Sequence, residues 1–404
     1  MMLITVFLLM LTLTPMHVTA PAWSHRAYPW VNSVGISKDL VAFSTPGGVY
    51  VFDINGKMLA HLTGSVVRVR GDYIVVGGGK SVVLLEKGKT VWRKRFKVGV
   101  EDVAVSENGD VVVGCRDGTV HYFTKNGKLL WEYKAMSAIG SVDVDDDGRF
   151  VVVEDLMNHI YFFTSCKDLP WRHSPNDGDL SWIYNTGWCV WKYDRLDLLF
   201  PCIIRISGDG RIIAVGGGGN RMVFVFDRGG YLIAKLKTDG VPTSLSVSYN
   251  GSLIAVGCDG GYAYLFRNLK RVWCVKLKTT TAVDLSENGR FVAVGDGGVV
   301  YLITSGGKVL WKGGLDDTIT HIAVSDDGAV IAGGKSTCYV FDPLPTEPKP
   351  TPTPYKTTSP PKITRPNPTP TKAEGFLNIP KMPDFRILLA IGVLVSMALI
   401  RKRD

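Results

Sequence analysis

Short apolar stretches alternate with glycine-rich turns along most of the chain, and residues 282–311 show the pattern clearly. This stretch contains four apolar runs, AVDLS, FVAVG, VVYLI and KVLW, separated by ENG, DGG and SGG. Short runs rich in Val, Ile and Tyr are typical of β-strands. Gly and Asn accept the positive φ that tight turns need. The pattern therefore predicts one small antiparallel sheet of four strands.

The same pattern recurs along the chain, and its fourth strand usually carries a Trp. The recurring ends are Ala60, Trp92, Trp131, Trp171, Ala234, Trp273 and Trp311. Successive ends are 32 to 40 residues apart, except for the 63 residues from Trp171 to Ala234. This period matches that of the blades of a β-propeller, in which small sheets stand side by side around an axis.

The repeats predict how the ring closes. Eight first strands are present but only seven fourth strands, because the last repeat stops at Pro343. The segment HRAYPW, residues 25–30, precedes the first repeat, and Trp30 stands there as Trp131 stands before the fourth repeat. An N-terminal strand in the last blade would leave no open sheet edges in the ring. We therefore expect an all-β, eight-bladed propeller over residues 23–342, with a seven-bladed ring as the alternative.

Two motifs carry a family resemblance. Strand ends of the form GKxxW, such as GKLLW at 127–131, resemble pyrroloquinoline-quinone-type propeller repeats. The turn SGDG at 207–210 and the element AVG at 255–257 resemble WD-repeat blades. The resemblance covers residues 30–342 and implies a propeller fold. Propellers serve as enzymes, scaffolds and receptors alike, so the resemblance does not select a function.

The 63 residues from Trp171 to Ala234 contain an aromatic-rich insertion at about residues 172–200. We place this insertion between the fourth and fifth blades. Clustered exposed aromatics are more typical of binding surfaces than of ordinary surface. The candidate ligand contacts are Trp182, Trp188, Trp191, Arg116 and Arg221, all assigned to one side of the ring. The alternative is that the insertion folds down as a plug held by Cys189. The seven cysteines form no CxxC or CxxH spacing, so no zinc site is expected.

Three aspartates match a metal signature. Asp143, Asp145 and Asp147 alternate before Gly148, and Glu154 follows, as in the calcium loop D-x-D-x-D-G-x5-E. The surroundings are strand, turn and strand, and the other repeats have ENG where this one has DDDG. The motif therefore has two interpretations, a weak calcium site and an acidic turn. We expect no other cofactor.

No catalytic centre can be recognised in the sequence. The Gly-Gly-Lys-Ser strings at 78–81 and 333–336 lack the first Gly of a phosphate loop, and no cysteines are adjacent. The excess of basic over acidic residues is 46 − 37 = +9 without a polybasic run in the first 380 residues, so nucleic acid is not an expected partner. We expect a non-enzymatic binding or scaffold module for protein or an envelope polymer. A polysaccharide-active lyase or hydrolase, which would need carboxylates converging at the channel mouth, and a structural envelope protein are the alternatives.

The N-terminus predicts export. Residues 3–13 are apolar, and Ala20-Pro21-Ala22 fits the cleavage pattern of a signal peptide spanning residues 1–22. Asn250 lies in a glycosylation sequon, Asn-Gly-Ser, which is consistent with an exported chain.

The C-terminus predicts attachment to a membrane. Residues 343–383 are rich in Pro and Thr and predict a disordered, extended stalk. An apolar segment at 385–400 predicts a transmembrane anchor, and the basic residues in 401–404 place the tail in the cytoplasm. The arrangement from Pro383 onward is also similar to archaeal C-terminal sorting signals, which implies removal of the tail and attachment to lipid. Together the two ends predict a propeller at the cell surface.

Overall fold

A computed structural model describes the fold of most of the propeller region. The described residues are 17–157, 159–164, 179–185, 203–217, 219–228, 231–279 and 281–344. They form eight sheets, and in each of them consecutive strands pair in antiparallel fashion from the innermost strand outward. Six sheets consist of four consecutive strands, and each of the last two also contains a strand from the N-terminus. Each innermost strand contacts the innermost strands of both neighbouring sheets, and the eighth contacts the first. The expected all-β, eight-bladed propeller is confirmed.

The strands are numbered in chain order, beginning with β1 (His17–Val18) and β2 (Trp23–Arg26). Blade 1 contains β3 (Ser33–Ile36), β4 (Leu40–Thr45), β5 (Gly48–Asp53) and β6 (Met58–Leu62). Blade 2 contains β7 (Val66–Arg70), β8 (Tyr73–Gly78), β9 (Ser81–Glu86) and β10 (Lys89–Arg95). Blade 3 contains β11 (Val100–Val105), β12 (Val111–Cys115), β13 (Thr119–Phe123) and β14 (Leu129–Lys134). Blade 4 contains β15 (Ile139–Val144), β16 (Phe150–Asp155), β17 (His159–Thr164) and β18 (Asp179–Asn185).

Blade 5 contains β19 (Ile203–Ile206), β20 (Ile212–Gly217), β21 (Asn220–Asp227) and β22 (Leu232–Lys237). Blade 6 contains β23 (Pro242–Val247), β24 (Leu253–Cys258), a 3₁₀ turn (Asp259–Gly261), β25 (Tyr262–Arg267) and β26 (Lys270–Lys276). Blade 7 contains β27 (Thr281–Leu285), β28 (Phe291–Asp296), β29 (Val299–Thr304) and β30 (Val309–Gly314). Blade 8 contains β31 (Ile319–Val324), β32 (Val330–Gly334) and β33 (Thr337–Phe341).

Burial explains the hydrophobic pattern of the repeats. Second strands such as β24 and β28 are buried along their whole length, because each lies in the middle of its sheet and between two neighbouring blades. They therefore read as unbroken apolar runs. The outermost strand β10 has exposed and partly buried residues in alternation over most of its length, since only one of its faces packs against the protein.

The N-terminal strand closes the ring. Strand β2 pairs with β33 in antiparallel register, with Trp23 opposite Val340 and His25 opposite Cys338. The expected closure of the last blade from the N-terminus is thus confirmed. The closing Trp is Trp23, however, and not Trp30, which lies in the connection to blade 1 with 52% of its surface exposed.

The Trp residues of the repeats join neighbouring blades. Trp131 of blade 3 stacks on Phe163 of blade 4 with ring centroids 4.9 Å apart, and Trp311 of blade 7 stacks on Phe341 of blade 8 at 4.8 Å. Trp92 lies over Gly127 in the neighbouring turn, where an added Cβ would be 3.1 Å from the indole. Each Trp therefore buries apolar surface between two sheets.

The fourth strand of blade 4 lies later in the chain than the sequence pattern predicted. Its fourth strand is β18, in which Trp182 lies opposite Phe162, just as Trp131 lies opposite Tyr122 in blade 3. Trp182 is therefore the repeat Trp of blade 4. The assignment of that position to Trp171, which lies outside the described residues, was wrong, because the extra residues occur on both sides of β18.

Two further features complete the description of the fold. Strand β1 adds to the outer edge of blade 7 in parallel, with His17 opposite Trp311. Four cysteines, Cys115, Cys258, Cys274 and Cys338, are buried and free. Within the described ranges, helices of a length and hydrophobicity suited to crossing a bilayer are absent.

Candidate functional site: the central channel and the start face

The eight innermost strands enclose a central channel. They run in the same direction, so the propeller has a start face, where these strands begin, and an end face, where they end. The channel has a volume of about 1030 Å³, and residues of all eight innermost strands line it. A propeller of this kind therefore offers two surfaces of interest, the channel and the face at which a ligand would enter it.

Aspartates join the innermost strands of neighbouring blades. Asp102, Asp143 and Asp284 belong to β11, β15 and β27. Their Oδ2 atoms accept hydrogen bonds of 3.1, 3.0 and 2.9 Å from the main-chain N–H groups of Val142, Ile206 and Val324 in the next blade. These carboxylates hold the wall of the channel together.

Arg68 and Arg205 bring positive charge into the same part of the channel. The Nη2 of Arg68 lies 3.0 Å from Oδ1 of Asp102, and its Nη1 donates to the hydroxyl of Ser33 at 3.2 Å. The Nη1 of Arg205 donates to the main-chain oxygen of Ile204 at 2.7 Å. The two arginines therefore differ, since Arg68 has a carboxylate partner and the described part of the chain offers none to Arg205 in an ion pair.

Arg70 spans the channel mouth at the end face. Its guanidinium lies 2.8 Å from Oδ1 of Asp146 in blade 4 and 3.1 Å from Oε1 of Glu287 in blade 7, and it donates to the main-chain oxygen of Val144 at 3.0 Å. Burial alone would lower the pKa of Arg70, but Glu287 and Asp146 raise it overall. One side chain from blade 2 thus links two distant blades.

Three carboxylates surround this guanidinium. Carboxylate oxygens of Glu107, Asp146 and Glu287 lie within 4.8 Å of one another. Burial raises the pKa of Glu287 to about 7, and it also raises the pKa of Asp146, in each case against the opposing effect of Arg70. The Glu287 side chain is 40% exposed to water within the mouth. The cluster could hold a cation, but Arg70 already supplies positive charge at its centre.

The turns at the end face form a chain of main-chain hydrogen bonds from blade to blade. The N–H of Glu107 donates to Asp146 O at 3.1 Å, and the N–H of Asp146 donates to Gly208 O at 3.0 Å. The N–H of Tyr249 continues the pattern by donating to Glu287 O at 2.8 Å. Glu107, Asp146 and Glu287 all stand at the second position of such turns, and aligning the repeats at this position is the sequence signal that would have found the cluster.

The structure does not bring the three predicted calcium ligands together among the described residues. Asp143 belongs to the channel wall, and Asp147 forms an ion pair with Arg149 at the surface. Asp145 is buried, and its Oδ1 accepts hydrogen bonds from the N–H groups of Arg149 and Phe150. Asp145 thus occupies the place that Ser106 and Ser286 take in other repeats, where the hydroxyl accepts from the chain four or five residues on.

The predicted ligand contacts are distributed as follows. Trp182 is in strand β18, while Trp188 and Trp191 lie outside the described residues. Arg116 is exposed in the turn between β12 and β13 at the start face, where it forms an ion pair with Glu101. Arg221 is exposed near the start-face end of β21. The sequon residue Asn250 lies in a turn at the end face, away from these residues.

Exposed apolar side chains other than the predicted ligand contacts are concentrated on the start face. Five large apolar residues in its loops have 50–85% of their surface exposed, namely Tyr28, Trp30, Met136, Leu156 and Met157. In the described loops of the end face, the large exposed apolar residues are Tyr231 and Tyr249. The two faces thus differ in how much apolar surface they offer to a partner.

Fold and channel define this chain as a repeat-built β-propeller. The model of the PQQ_2 family, described as outer membrane protein assembly factor BamB, matches residues 37–157 and 78–238. These matches together span half of the chain, and the chain belongs to this family. A search among curated proteins found no match.

Solved structures show the same architecture. The computationally designed Ika8 protein is 16% identical over 80% of this chain and 99% of its own, with a TM-score of 0.61. Sqt1 from Saccharomyces cerevisiae is 14% identical over 82% of this chain and 100% of its own, with a TM-score of 0.62. Sqt1 from Chaetomium thermophilum, bound to the N-terminus of the ribosomal protein L10, is 15% identical over 78% and 97%, with a TM-score of 0.62. At these identities the likeness concerns the fold.

Proposed function

We propose that this chain is a non-enzymatic interaction module that captures a protein partner through its start face. The observation that carries the proposal is the concentration of exposed Tyr, Trp, Met and Leu side chains on that face. Exposed apolar groups gain free energy when a partner removes them from water. A protein surface offers matching apolar groups, whereas an envelope polymer would call for polar contacts.

One part of this surface is the Met patch, formed by Met136, Leu156 and Met157. The N–H of Leu156 donates to the main-chain oxygen of Ala138 at 2.8 Å, so the two loops that carry the patch touch. The N–H of Met136 donates to the hydroxyl of Tyr161 at 3.1 Å, which fixes the base of the patch. Methionine side chains adapt their shape to a partner and are common at such surfaces.

The relatives support a binding role. The family is described by an assembly factor of the outer membrane. The Chaetomium thermophilum Sqt1 structure contains a propeller of similar fold bound to the N-terminus of another protein. A propeller that presents an apolar face is consistent with both.

We further propose that the propeller works outside the cell. This part of the proposal rests on the predicted signal peptide at 1–22, the Pro- and Thr-rich stalk at 343–383 and the apolar segment at 385–400. Cleavage after residue 22 would remove β1 from the edge of blade 7 and leave β2, which closes the ring from Trp23. Such a stalk would hold the propeller at a distance from the membrane. Fractionation of cells into membrane and soluble fractions, followed by protease treatment of intact cells, tests this placement; a chain protected from protease until the cells are lysed contradicts it.

Affinity capture tests the binding role. The tagged full chain is used to capture partners from solubilised membranes, and it is compared with the triple variant Met136→Ser, Leu156→Ser, Met157→Ser. The matched control is Tyr231→Ser with Tyr249→Ser, which removes exposed apolar groups from the end face. We expect the patch variant to lose a partner that the control retains. Equal capture by both variants contradicts the proposal.

A polysaccharide lyase or hydrolase is the second candidate, because Glu107, Asp146 and Glu287 converge at the channel mouth. In that case envelope polysaccharide incubated with the protein would be cleaved, and Glu287→Gln would abolish cleavage. If the wild-type protein releases no new chain ends, the binding role is favoured.

A further inference from the structure

Arg205 is a charged group in the channel that has no ion-pair partner among the described residues. It projects from β19, and the main-chain oxygen of Ile204, 2.7 Å from Nη1, is its hydrogen-bond partner. Among the described residues, no carboxylate oxygen lies within 4.0 Å of its guanidinium. Charged groups inside proteins are ordinarily paired, so an unpaired guanidinium in an enclosed site calls for a partner.

Comparison with Arg70 shows how incomplete the pairing of Arg205 is. Arg70 has two ion pairs, and its pKa is raised overall. The pKa of Arg205 is lowered, first by burial and then by the charge of Arg68, and the more distant aspartates offset this only in part. The two arginines lie in the same channel, so the difference comes from their partners and not from the channel as a whole.

The neighbouring carboxylates cannot move to Arg205 without loss. Asp102, Asp143 and Asp284 each accept a main-chain hydrogen bond from the next blade, and Asp102 is also paired with Arg68. Turning any of them toward Arg205 would leave a buried N–H without an acceptor, which costs about 1–3 kcal/mol. The aspartates are therefore committed to the wall of the channel.

Other hydrogen-bonding groups face the same part of the channel. Arg68 lies close enough that its charge acts on both Arg205 and His321. Burial, with the charge of Arg68, lowers the pKa of His321 to about 4, so its ring is neutral at pH 7. Nearer the start face the wall carries the hydroxyls of Ser141, Thr243 and Thr318. Guanidinium, neutral imidazole and hydroxyl groups are all suited to the oxygens of an anion.

We propose that the channel binds an oxyanion, the carboxylate or phosphate group of a small ligand, at Arg205. The ligand enters from the start face, because Arg70 and its acidic partners span the mouth at the end face. The three aspartates oppose an anion by their charge, so binding should be modest and should weaken with added salt. The site does not depend on the Met patch and goes beyond the proposed function.

Calorimetric titration of the full chain at pH 7 tests the proposal. Sodium phosphate and sodium acetate are titrated in separate arms, with sodium chloride keeping the ionic strength constant. The test variant is Arg205→Gln. The control is Arg211→Gln, which removes an exposed arginine of the same blade whose Nε lies 3.6 Å from Asp209.

We expect saturable binding of at least one anion to the wild type and to Arg211→Gln, and at least tenfold weaker binding to Arg205→Gln. The arm that shows binding tells whether the site prefers phosphate or carboxylate. No saturable heat in either arm with the wild type overturns the proposal, and so does unchanged binding by Arg205→Gln. If Arg205→Gln does not fold, Arg205→Met replaces it, because Met keeps an unbranched side chain of similar length but has neither charge nor hydrogen-bond donors; unchanged binding by that variant overturns the proposal equally.

Discussion

The indole Nε1 of Trp23 donates a hydrogen bond of 2.9 Å to the main-chain oxygen of Ile54, and this bond joins the last blade to the first. The indole also lies over Gly56 of the same turn, where an added Cβ would be 3.1 Å from the ring. Trp92 of blade 2 makes the same contact with blade 3, because its Nε1 donates a hydrogen bond of 3.0 Å to the main-chain oxygen of Lys125. The joint at which the ring closes is therefore built like an ordinary contact between blades.

Trp23→Ala should open this joint. Because the indole is only partly buried, we expect the free energy of unfolding to fall by about 2 kcal/mol, less than for a fully buried Trp. Urea denaturation followed by circular dichroism measures the change. Trp30→Ala is the control, since Trp30 is exposed and bonds to its near neighbour Asn32; it should change stability by less than about 0.5 kcal/mol. If the two variants unfold alike, Trp23 does not secure the closure.

The sequence predicted the parts of the fold that depend on local pattern. First strands such as β11 and β27 were found because turn residues and apolar runs alternate at short range. The prediction was wrong at Trp171. The sequence KDLPW, which ends at Trp171, resembles the other strand ends and lies near the expected spacing, so the local pattern did not distinguish Trp171 from Trp182. The contact of Arg70 with Glu287 could not be predicted from the sequence, because it depends on how blades 2 and 7 face each other across the channel.

Gly114→Ala tests the close packing of blades 3 and 4. Gly114 is the next-to-last residue of β12 in blade 3, and a Cβ there would lie 2.5 Å from Cγ2 of Ile139 in the next blade. Such overpacking should cost about 1–3 kcal/mol of stability in the same urea experiment. Gly314→Ala is the matched control, since a Cβ at that position meets nothing within 4 Å. A destabilisation shared equally by both variants would mean that contact with Ile139 is not the cause.

Arg70→Gln should destabilise the end-face mouth by about 3 kcal/mol, because it leaves neighbouring carboxylates without their counter-charge. Adding Glu287→Gln to this variant should restore part of the loss by removing one of the repelling groups. The control is Arg149→Gln, which breaks the surface ion pair with Asp147 and should cost less than about 1 kcal/mol. Chemical denaturation at pH 7 measures the free energy of unfolding of all three variants. If Arg70→Gln is as stable as the wild type, the ion pairs of Arg70 do not stabilise the mouth.

Asp145 should make stability depend on pH. Burial raises its pKa in the folded protein from 3.8 to about 6, so the folded state holds this proton more tightly than the unfolded state. Stability contributed by the protonated form is therefore lost as the pH rises from about 4 to 6. Asp145→Ser places the residue found in sibling turns there, and it should remove this part of the pH dependence.

Melting temperatures of the wild type and Asp145→Ser between pH 4 and pH 8 check this prediction. The difference should move in favour of Asp145→Ser as the pH rises. Asp145→Ala, which has no oxygen to accept from the N–H groups of Arg149 and Phe150, should be less stable than Asp145→Ser throughout. A wild type and Asp145→Ser that differ by a constant amount at every pH contradict the assignment.

Site-specific photo-crosslinking of the full chain in living cells tests most directly whether the start face is the binding surface. A photoreactive phenylalanine analogue replaces Met157 in one variant and Tyr231 in another, both exposed but on opposite faces. The account predicts a discrete adduct with a protein partner from position 157 and none from position 231. An adduct from position 231 alone, or the same adduct from both positions, would contradict it.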